Sequence, residues 1–254
     1  MKHVRTLVTA LICTLAITTT AAYGAVTVYE GFDYSGASDV DGEDGGTGWG
    51  SEWSVNGGSP SVVAGYRTTS IYNSAFLNTQ FTNVGGSLQN DHNAFVAQRT
   101  ISNAFEVDLT VDGTAYFSFL MTYPETSDAS WLEFTGSGIN SPFRATFNGS
   151  SIAATGGSGT YSTSGSGTYS VDTTYFVVGK ITASASGNDY VSLNVFAAGD
   201  TVPSTESFIV QSTGATSGGD ITGIQFKQGD PDNNDGNPAV LDEFRLGDSW
   251  QDVA

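Results

Sequence analysis

The chain has 254 residues, of which 26 are acidic and only eight are basic, so its formal net charge is −18 at pH 7. A surface this acidic argues against nucleic acid or an anionic membrane as a partner. It is typical of an exported protein whose charge keeps it soluble.

Residues 1–24 are predicted to be a secretory signal peptide. Lys2 and Arg5 give it a positive start, and the apolar run over residues 7–17 is too short to cross a bilayer. Small residues at its end predict cleavage after Gly24. We therefore expect the mature protein to be secreted, either extracellular or held at the cell surface, without membrane insertion once the leader is removed.

The mature chain, residues 25–254, is expected to form a single domain without disulfides. The only cysteine, Cys13, lies in the predicted leader. An exported protein without disulfides must be held together by its core, or by its core and a metal. Loss of the leader leaves six basic residues against 26 acidic ones, a net charge of −20.

Short alternating runs of apolar and polar residues, separated by Gly, Asn, Asp and Ser, predict an all-β fold. The clearest predicted strand spans residues 115–123 and places Phe117, Phe119 and Met121 on one face. A second covers 190–196, with Ser192 and Asn194 facing away from the core. The other predicted strands are residues 26–32, 92–99, 104–111, 130–135, 143–147, 174–182, 207–211, 221–227 and 240–246.

The first and last predicted strands each place one carboxylate among apolar side chains. Because side chains alternate along a strand, Glu30 and Asp242 are each predicted to share a face with three apolar residues. These are Val26, Val28 and Phe32 for Glu30, and Val240, Phe244 and Leu246 for Asp242. A carboxylate on an apolar face needs a partner.

Several segments, in this order, resemble exported bacterial proteins with a LamG-like, concanavalin A-like jelly-roll domain. They are residues 29–34 (YEGFDY), 45–49 (GGTGW), 116–120 (YFSFL), 177–181 (VVGKI) and 241–250 (LDEFRLGDSW). The resemblance covers nearly the whole mature chain. It implies a two-sheet antiparallel jelly-roll sandwich whose first and last strands are close together.

The same resemblance implies a function outside catalysis. Many such proteins look like cell-surface or matrix proteins, and some carry a C-terminal sorting tail that is not seen at residues 252–254 here. The sequence leaves open whether the protein is released or is a fragment of a longer chain. We expect an extracellular, non-enzymatic interaction module, either carbohydrate-binding or matrix-associated. The alternatives are a glycan-active enzyme and a purely structural surface protein.

The enzyme alternative depends on Glu106 and Asp108. Their predicted shared strand face resembles the catalytic strand of laminarinase-type glycoside hydrolases, which need a third acid close by. Residues 109–111 supply none. His92 is the only histidine outside the leader, which argues against a Ser-His-Asp triad.

For a polysaccharide or cell-surface glycan, aromatic rings are the expected platforms, because they stack on the apolar faces of sugars. Trp131 follows a predicted turn and has polar neighbours, so we expect it to be exposed. The candidate platforms are Trp131, Tyr66 and Tyr72. The tryptophans expected to pack against loops and core are Trp49, Trp53 and Trp250.

Calcium is the one cofactor that the sequence suggests. If the end strands are neighbours, Glu30 and Asp242 could share a structural Ca²⁺, since two close carboxylates repel without a cation or proton. The alternative is that Arg245, Lys180 or backbone N–H groups satisfy each acid separately. A weaker candidate calcium site is the acidic loop with Asp230, Asp232 and Asp235. This loop does not match an EF-hand, and a solvated turn is the preferred interpretation.

Overall fold

The computed structural model describes residues 26–34, 39–64, 86–89, 94–122, 130–139, 143–148, 151–156, 169–170, 173–212, 214, 218–228 and 239–254. These residues form fifteen strands and one short helix. The strands are β1 Val26–Glu30, β2 Ser54–Asn56, β3 Ser61–Ala64, β4 Gly86–Gln89, β5 Phe95–Thr100, β6 Val107–Asp108, β7 Gly113–Thr122, β8 Ser130–Ser137, β9 Phe143–Asn148, β10 Ser151–Thr155, β11 Thr174–Ala183, β12 Tyr190–Phe196, β13 Val210–Gln211, β14 Asp220–Gln228 and β15 Val240–Gly247, and the helix is α1 Trp250–Val253.

The strands form two antiparallel sheets. The eight-stranded sheet has the order β13-β12-β11-β7-β15-β4-β3, and β1 pairs with β15 beside this path. The seven-stranded sheet has the order β10-β9-β8-β14-β5-β2, and β6 pairs with β14. The predicted jelly-roll sandwich is confirmed, as is the pairing of the first and last strands. No helix in the described ranges has the length and apolarity needed to span a bilayer.

The core lies between the inner faces of the two sheets and is rich in phenylalanine. Phe117, Phe119 and Met121 of β7 all face it, as the alternation predicts. The ring of Phe117 meets Phe134 of the opposite sheet edge-on, with centroids 4.8 Å apart. Aromatic rings packed edge to face stabilise a fold beyond what their buried area contributes. This contact therefore favours one position of the two sheets relative to each other.

The outer face of the eight-stranded sheet is also covered. Helix α1 and the loop over residues 197–209 pack on it and form a second apolar cluster around Trp250. The indole Nε1 of Trp250 donates to the Pro203 carbonyl at 2.8 Å. Ser192 and Asn194 face away from the main core as predicted, but this layer buries them.

The predicted strand over residues 104–111 is mostly wrong. Only Val107 and Asp108 are in a strand, while Phe105 and Val111 are 37% and 50% exposed. The Asp108 carboxylate accepts hydrogen bonds from the N–H and hydroxyl of Thr110, at 2.7 and 2.6 Å, which turns the chain. The predicted strand 207–211 is likewise reduced to β13. Four strands were not predicted, because each is too short to show a clear alternation of apolar and polar residues: β2, β3, β4 and β10.

We expect Gly179→Ala to destabilise the protein by about 1–3 kcal/mol, because a Cβ on β11 would overlap the Phe117 ring, which the core holds in place. Urea unfolding of both forms measures this difference. Gly113→Ala is the matched control, since nothing lies within 4 Å of its Cβ position. Equal midpoints for Gly179→Ala and wild type would contradict the prediction.

Candidate functional site

Glu30 lies on the core face of β1, as predicted, and is completely buried. Strand β1 pairs with β15 so that Val28 is opposite Leu246 and Glu30 is opposite Phe244. All of these side chains point between the sheets. The first strand therefore carries a carboxylate into the middle of the sandwich.

Four donors surround the Glu30 carboxylate. Its Oε1 accepts the Phe32 N–H at 2.8 Å. Its Oε2 accepts the Tyr34 hydroxyl at 2.7 Å, the Trp53 indole N–H at 3.0 Å and the Arg99 guanidinium at 2.5 Å. Arg99 belongs to β5 of the seven-stranded sheet. The ion pair thus connects the two sheets through the core.

The electrostatics of this cluster are those of a buried structural pair. Burial raises the pKa of Glu30, and the bonds from Tyr34, the Phe32 N–H, Arg99 and Trp53 oppose that rise. Burial, together with the neighbouring Glu30 charge, also raises the pKa of the Tyr34 hydroxyl. The side chains of Glu30 and Arg99 are each only 1% exposed. This arrangement serves the fold and does not face a ligand.

Asp242 faces the opposite way because β15 contains a bulge. Its register with β7 shifts between Asp242, which is opposite Leu120, and Arg245, which is opposite Ser118. Glu243 has a φ of 54° at this point. One extra residue in the strand reverses the alternation.

The consequence is a correction to the predicted calcium site. Leu241, Phe244 and Leu246 face the main core, whereas Asp242 lies on the outer face with Leu120. The prediction that Asp242 shares a face with Phe244 and Leu246 is therefore wrong. Asp242 and Glu30 lie on opposite faces of their sheet, so the two carboxylates do not lie together as a shared Ca²⁺ would require. Among the described residues no group of three or more acidic, histidine or cysteine side chains could hold a metal ion.

Several predicted site residues lie outside the described ranges. They are Tyr66, Tyr72, His92, Asp230, Asp232 and Asp235. The tryptophans that were expected to be packed are confirmed as such for Trp53 and Trp250, which are 1% and 3% exposed. Trp49 is half-buried and packs against Trp53.

The predicted acid pair is not arranged on one strand face. Glu106 precedes the two-residue β6, and Asp108 ends it. The hydrogen bonds from Thr110 lower the pKa of Asp108, which is fully exposed. A general acid needs a raised pKa, so Asp108 does not have the properties of one.

The most distinctive polar surface lies on the outer face of the seven-stranded sheet. Strand β8 alternates, so its outward residues Trp131 and Glu133 are half-buried. Trp131 is therefore less exposed than predicted. We use the name Trp131 face for the outward residues of three adjacent strands, which are Trp131, Glu133, Arg144, Thr146, Gln225 and Lys227.

Strand register arranges this face in two rows. Trp131 is opposite Lys227 on β14 and Thr146 on β9. Glu133 is opposite Gln225 on β14 and Arg144 on β9. One row therefore centres on an indole, and the adjacent row centres on a carboxylate.

Contacts within the face connect the two rows. The guanidinium carbon of Arg144 lies 5.6 Å from the Trp131 ring centroid, a cation–π distance. Arg144 lies 3.7 Å from Glu133 Oε2, and Lys227 lies 4.0 Å from Glu133 Oε1. The Gln225 amide donates to Glu133 Oε1 at 2.5 Å. Glu133 is thus the shared acceptor of the face.

Polar atoms beside this face lack hydrogen bonds within the described part of the chain. They are the indole Nε1 of Trp131 and the hydroxyls of Thr146 and Thr155, all buried. Thr155 is opposite Arg144 in the register of β10 and β9. A buried polar group without a partner costs about 1–3 kcal/mol, and these three atoms are closed to solvent, so they are not open to a ligand on the face.

Sequence reasoning missed four residues here: Arg99, Arg144, Gln225 and Lys227. It named Arg245, Lys180 or backbone N–H groups as possible partners for Glu30 and Asp242. Backbone N–H groups do bond both acids, from Phe32 to Glu30 and from Glu243 to Asp242, but the cation beside Glu30 is Arg99. One signal was present, because the chain has only six basic residues after residue 24 and three of the four missed ones are basic. A basic residue within a predicted strand of such an acidic chain is a candidate for a specific contact.

Comparison with known proteins shows the fold. No family model and no curated protein matches the chain. An endo-β-1,4-glucuronan lyase from the fungus Trichoderma reesei aligns with a TM-score of 0.52 and 10% identity, over 91% of this chain and 100% of the lyase. A protein of unknown function with a galectin-like fold from Bacillus subtilis aligns with a TM-score of 0.48 and 12% identity, over 89% and 97%.

We expect Arg99→Met to destabilise the protein by about 3–5 kcal/mol at pH 7, because it leaves the Glu30 carboxylate buried without its cation. The pKa of Glu30 is raised above its ordinary value of 4.5 in the folded protein. The contribution of this carboxyl group to folding stability is therefore full below pH 4.5 and is lost as the pH rises through the folded-state pKa. The loss should therefore be smaller at pH 4 than at pH 7, as measured by urea unfolding.

The double variant Glu30→Gln/Arg99→Met tests the pairing. It should be more stable at pH 7 than Arg99→Met alone, since the uncompensated charge is gone. Additive losses in the double-mutant cycle would show that the pair is not coupled.

Proposed function

We propose that this protein is an extracellular, non-enzymatic module that binds carbohydrate on the Trp131 face. The observation that carries the proposal is a half-buried indole with a carboxylate, an amide and two cations on its own and neighbouring strands. Export rests on the leader over residues 1–24.

This combination suits a sugar. An indole ring stacks on the apolar face of a pyranose, while Glu133 and Gln225 can accept from and donate to hydroxyl groups. The side chains stand on paired strands, which position them more rigidly than loops would.

The alternatives are weaker. A glycoside hydrolase using Glu106 and Asp108 lacks the paired strand face that its mechanism needs. The glucuronan lyase shows that a glycan-active protein can have this fold, but at 10% identity the likeness extends to the fold alone. A purely structural surface protein has no need for an indole, a carboxylate, an amide and two cations together on one face.

A glycan array probed with the purified mature chain tests the proposal. We expect binding that Trp131→Ala weakens about three- to tenfold, since a stacked aromatic ring contributes about 0.5–1.5 kcal/mol beyond its buried area. Trp131→Phe should retain part of it. Phe105→Ala is the control, because Phe105 is an exposed aromatic outside the Trp131 face. Absence of binding to every glycan would refute the proposal.

We also expect no sugar release that depends on Glu106. A reducing-sugar assay with the glycans bound on the array, run on wild type and Glu106→Gln, provides the measurement. Turnover by the wild type that disappears in Glu106→Gln would establish the enzyme alternative instead.

A further inference from the structure

A groove with a cavity volume of about 400 Å³ lies at one end of the eight-stranded sheet. It is bounded where β1 and β7 begin and where β11 and β15 end. Its remaining wall comes from the segment 104–111, which leads from β5 of the other sheet to β7. The volume is within the range of about 300–1,000 Å³ that is usual for binding sites in proteins. No residue of the Trp131 face lines this groove, so it is a separate surface.

The groove is apolar from its floor to its mouth. The floor consists of the buried side chains of Ala115, Ala183 and Leu246. The side chains of Phe105 and Val111 also line it and are exposed. They are two of the three large apolar side chains that are exposed in the described part of the chain. Two such side chains at one groove form an apolar surface that a partner can cover.

Three carboxylates border this apolar surface, those of Glu106, Asp108 and Asp248. The lining contains no basic residue, so its formal charge is −3. None of the three acids takes part in the ion pairs of the described residues. The hydrogen bonds from Thr110 hold the Asp108 carboxylate in one orientation.

The acids come from both layers of the sandwich. Asp108 ends β6, which pairs with β14 of the seven-stranded sheet, and Glu106 precedes β6. Asp248 directly follows β15 of the eight-stranded sheet. The apolar floor therefore has negative charge on two sides.

We propose that this groove binds a segment of another protein in which a bulky apolar side chain is flanked by lysine or arginine. The apolar side chain enters the groove and covers Phe105 and Val111, which removes their surfaces from water. The flanking cations meet the carboxylates on the two sides. This inference does not depend on the proposed function, because it concerns a different surface.

The charge of the whole chain favours the same kind of partner. A net charge of −18 attracts a cationic segment at long range and raises its rate of association. A second copy of this chain is a poor occupant, because it brings the same net charge and like charges across an interface oppose binding. The proposal therefore commits to a basic segment of a different protein.

The test uses the purified mature chain and fluorescein-labelled heptapeptides in fluorescence polarisation. The peptides carry Phe, Leu or Ser at the centre and Arg, Ser or Glu on both sides of it. We expect saturable binding of the peptides with Phe or Leu between arginines. Serine at the centre should weaken binding about tenfold, because the apolar burial is lost. Serine at both flanks should weaken it about three- to tenfold, and glutamate should weaken it further.

Two pairs of matched variants assign the binding to the groove. Val111→Ser should weaken it about three- to tenfold, whereas Ile209→Ser changes an equally exposed apolar residue outside the groove and should have no effect. Asp248→Asn should weaken binding of the arginine peptides only. Asp33→Asn is its control, since Asp33 is exposed and follows the opposite end of β1 from Thr27, which lines the groove. Circular dichroism melting of each variant confirms that it is folded.

Several outcomes would overturn the inference. One is the absence of saturable binding of any of these peptides up to about 1 mM. Equal effects of Asp248→Asn and Asp33→Asn would show that only general charge acts, and equal effects of Val111→Ser and Ile209→Ser would place the contact elsewhere. A dimer in sedimentation that Val111→Ser dissociates would make a second copy the occupant. None of these results changes the expected binding of glycans through Trp131.

Discussion

The buried pair of Glu30 and Arg99 is the contact on which the sandwich depends. It joins the first strand of the eight-stranded sheet to β5 of the seven-stranded sheet through an apolar core. Replacing such a pair with apolar residues is often neutral, so its net contribution to stability is small. We infer that its role is specificity, since only one alignment of the sheets brings Tyr34, Trp53 and Arg99 together around the carboxylate.

The few basic residues of this chain are used at specific contacts, of which that pair is the first. In a chain with six basic residues outside the predicted leader, one is used inside the core and another, Arg245, is used beside the β15 bulge. Lys180 is engaged with Glu206 and packs near Tyr116 and Phe208 on the covered sheet. Among the described basic residues, the remaining two, Arg144 and Lys227, lie on the outer face of the seven-stranded sheet.

The long strands could be predicted from the sequence, but the contacts between them could not. Residues 190–196 were predicted with their observed bounds, because seven residues of alternation are a clear signal. The β15 bulge could not be predicted, since it depends on Glu243 adopting a φ of 54°. That one residue reversed the orientation of Asp242. Arg99 was missed for a related reason, because the partner of a buried acid is decided by how the sheets align.

The Trp131 face was only partly predictable for the same reason. The sequence identified its aromatic residue, but alternation cannot tell which strands will be neighbours, so Arg144 and Lys227 could not be placed beside it. Strand order brings β9, β8 and β14 together, and helix α1 covers the other sheet's outer surface. The fold therefore leaves polar side chains of three strands to form one face.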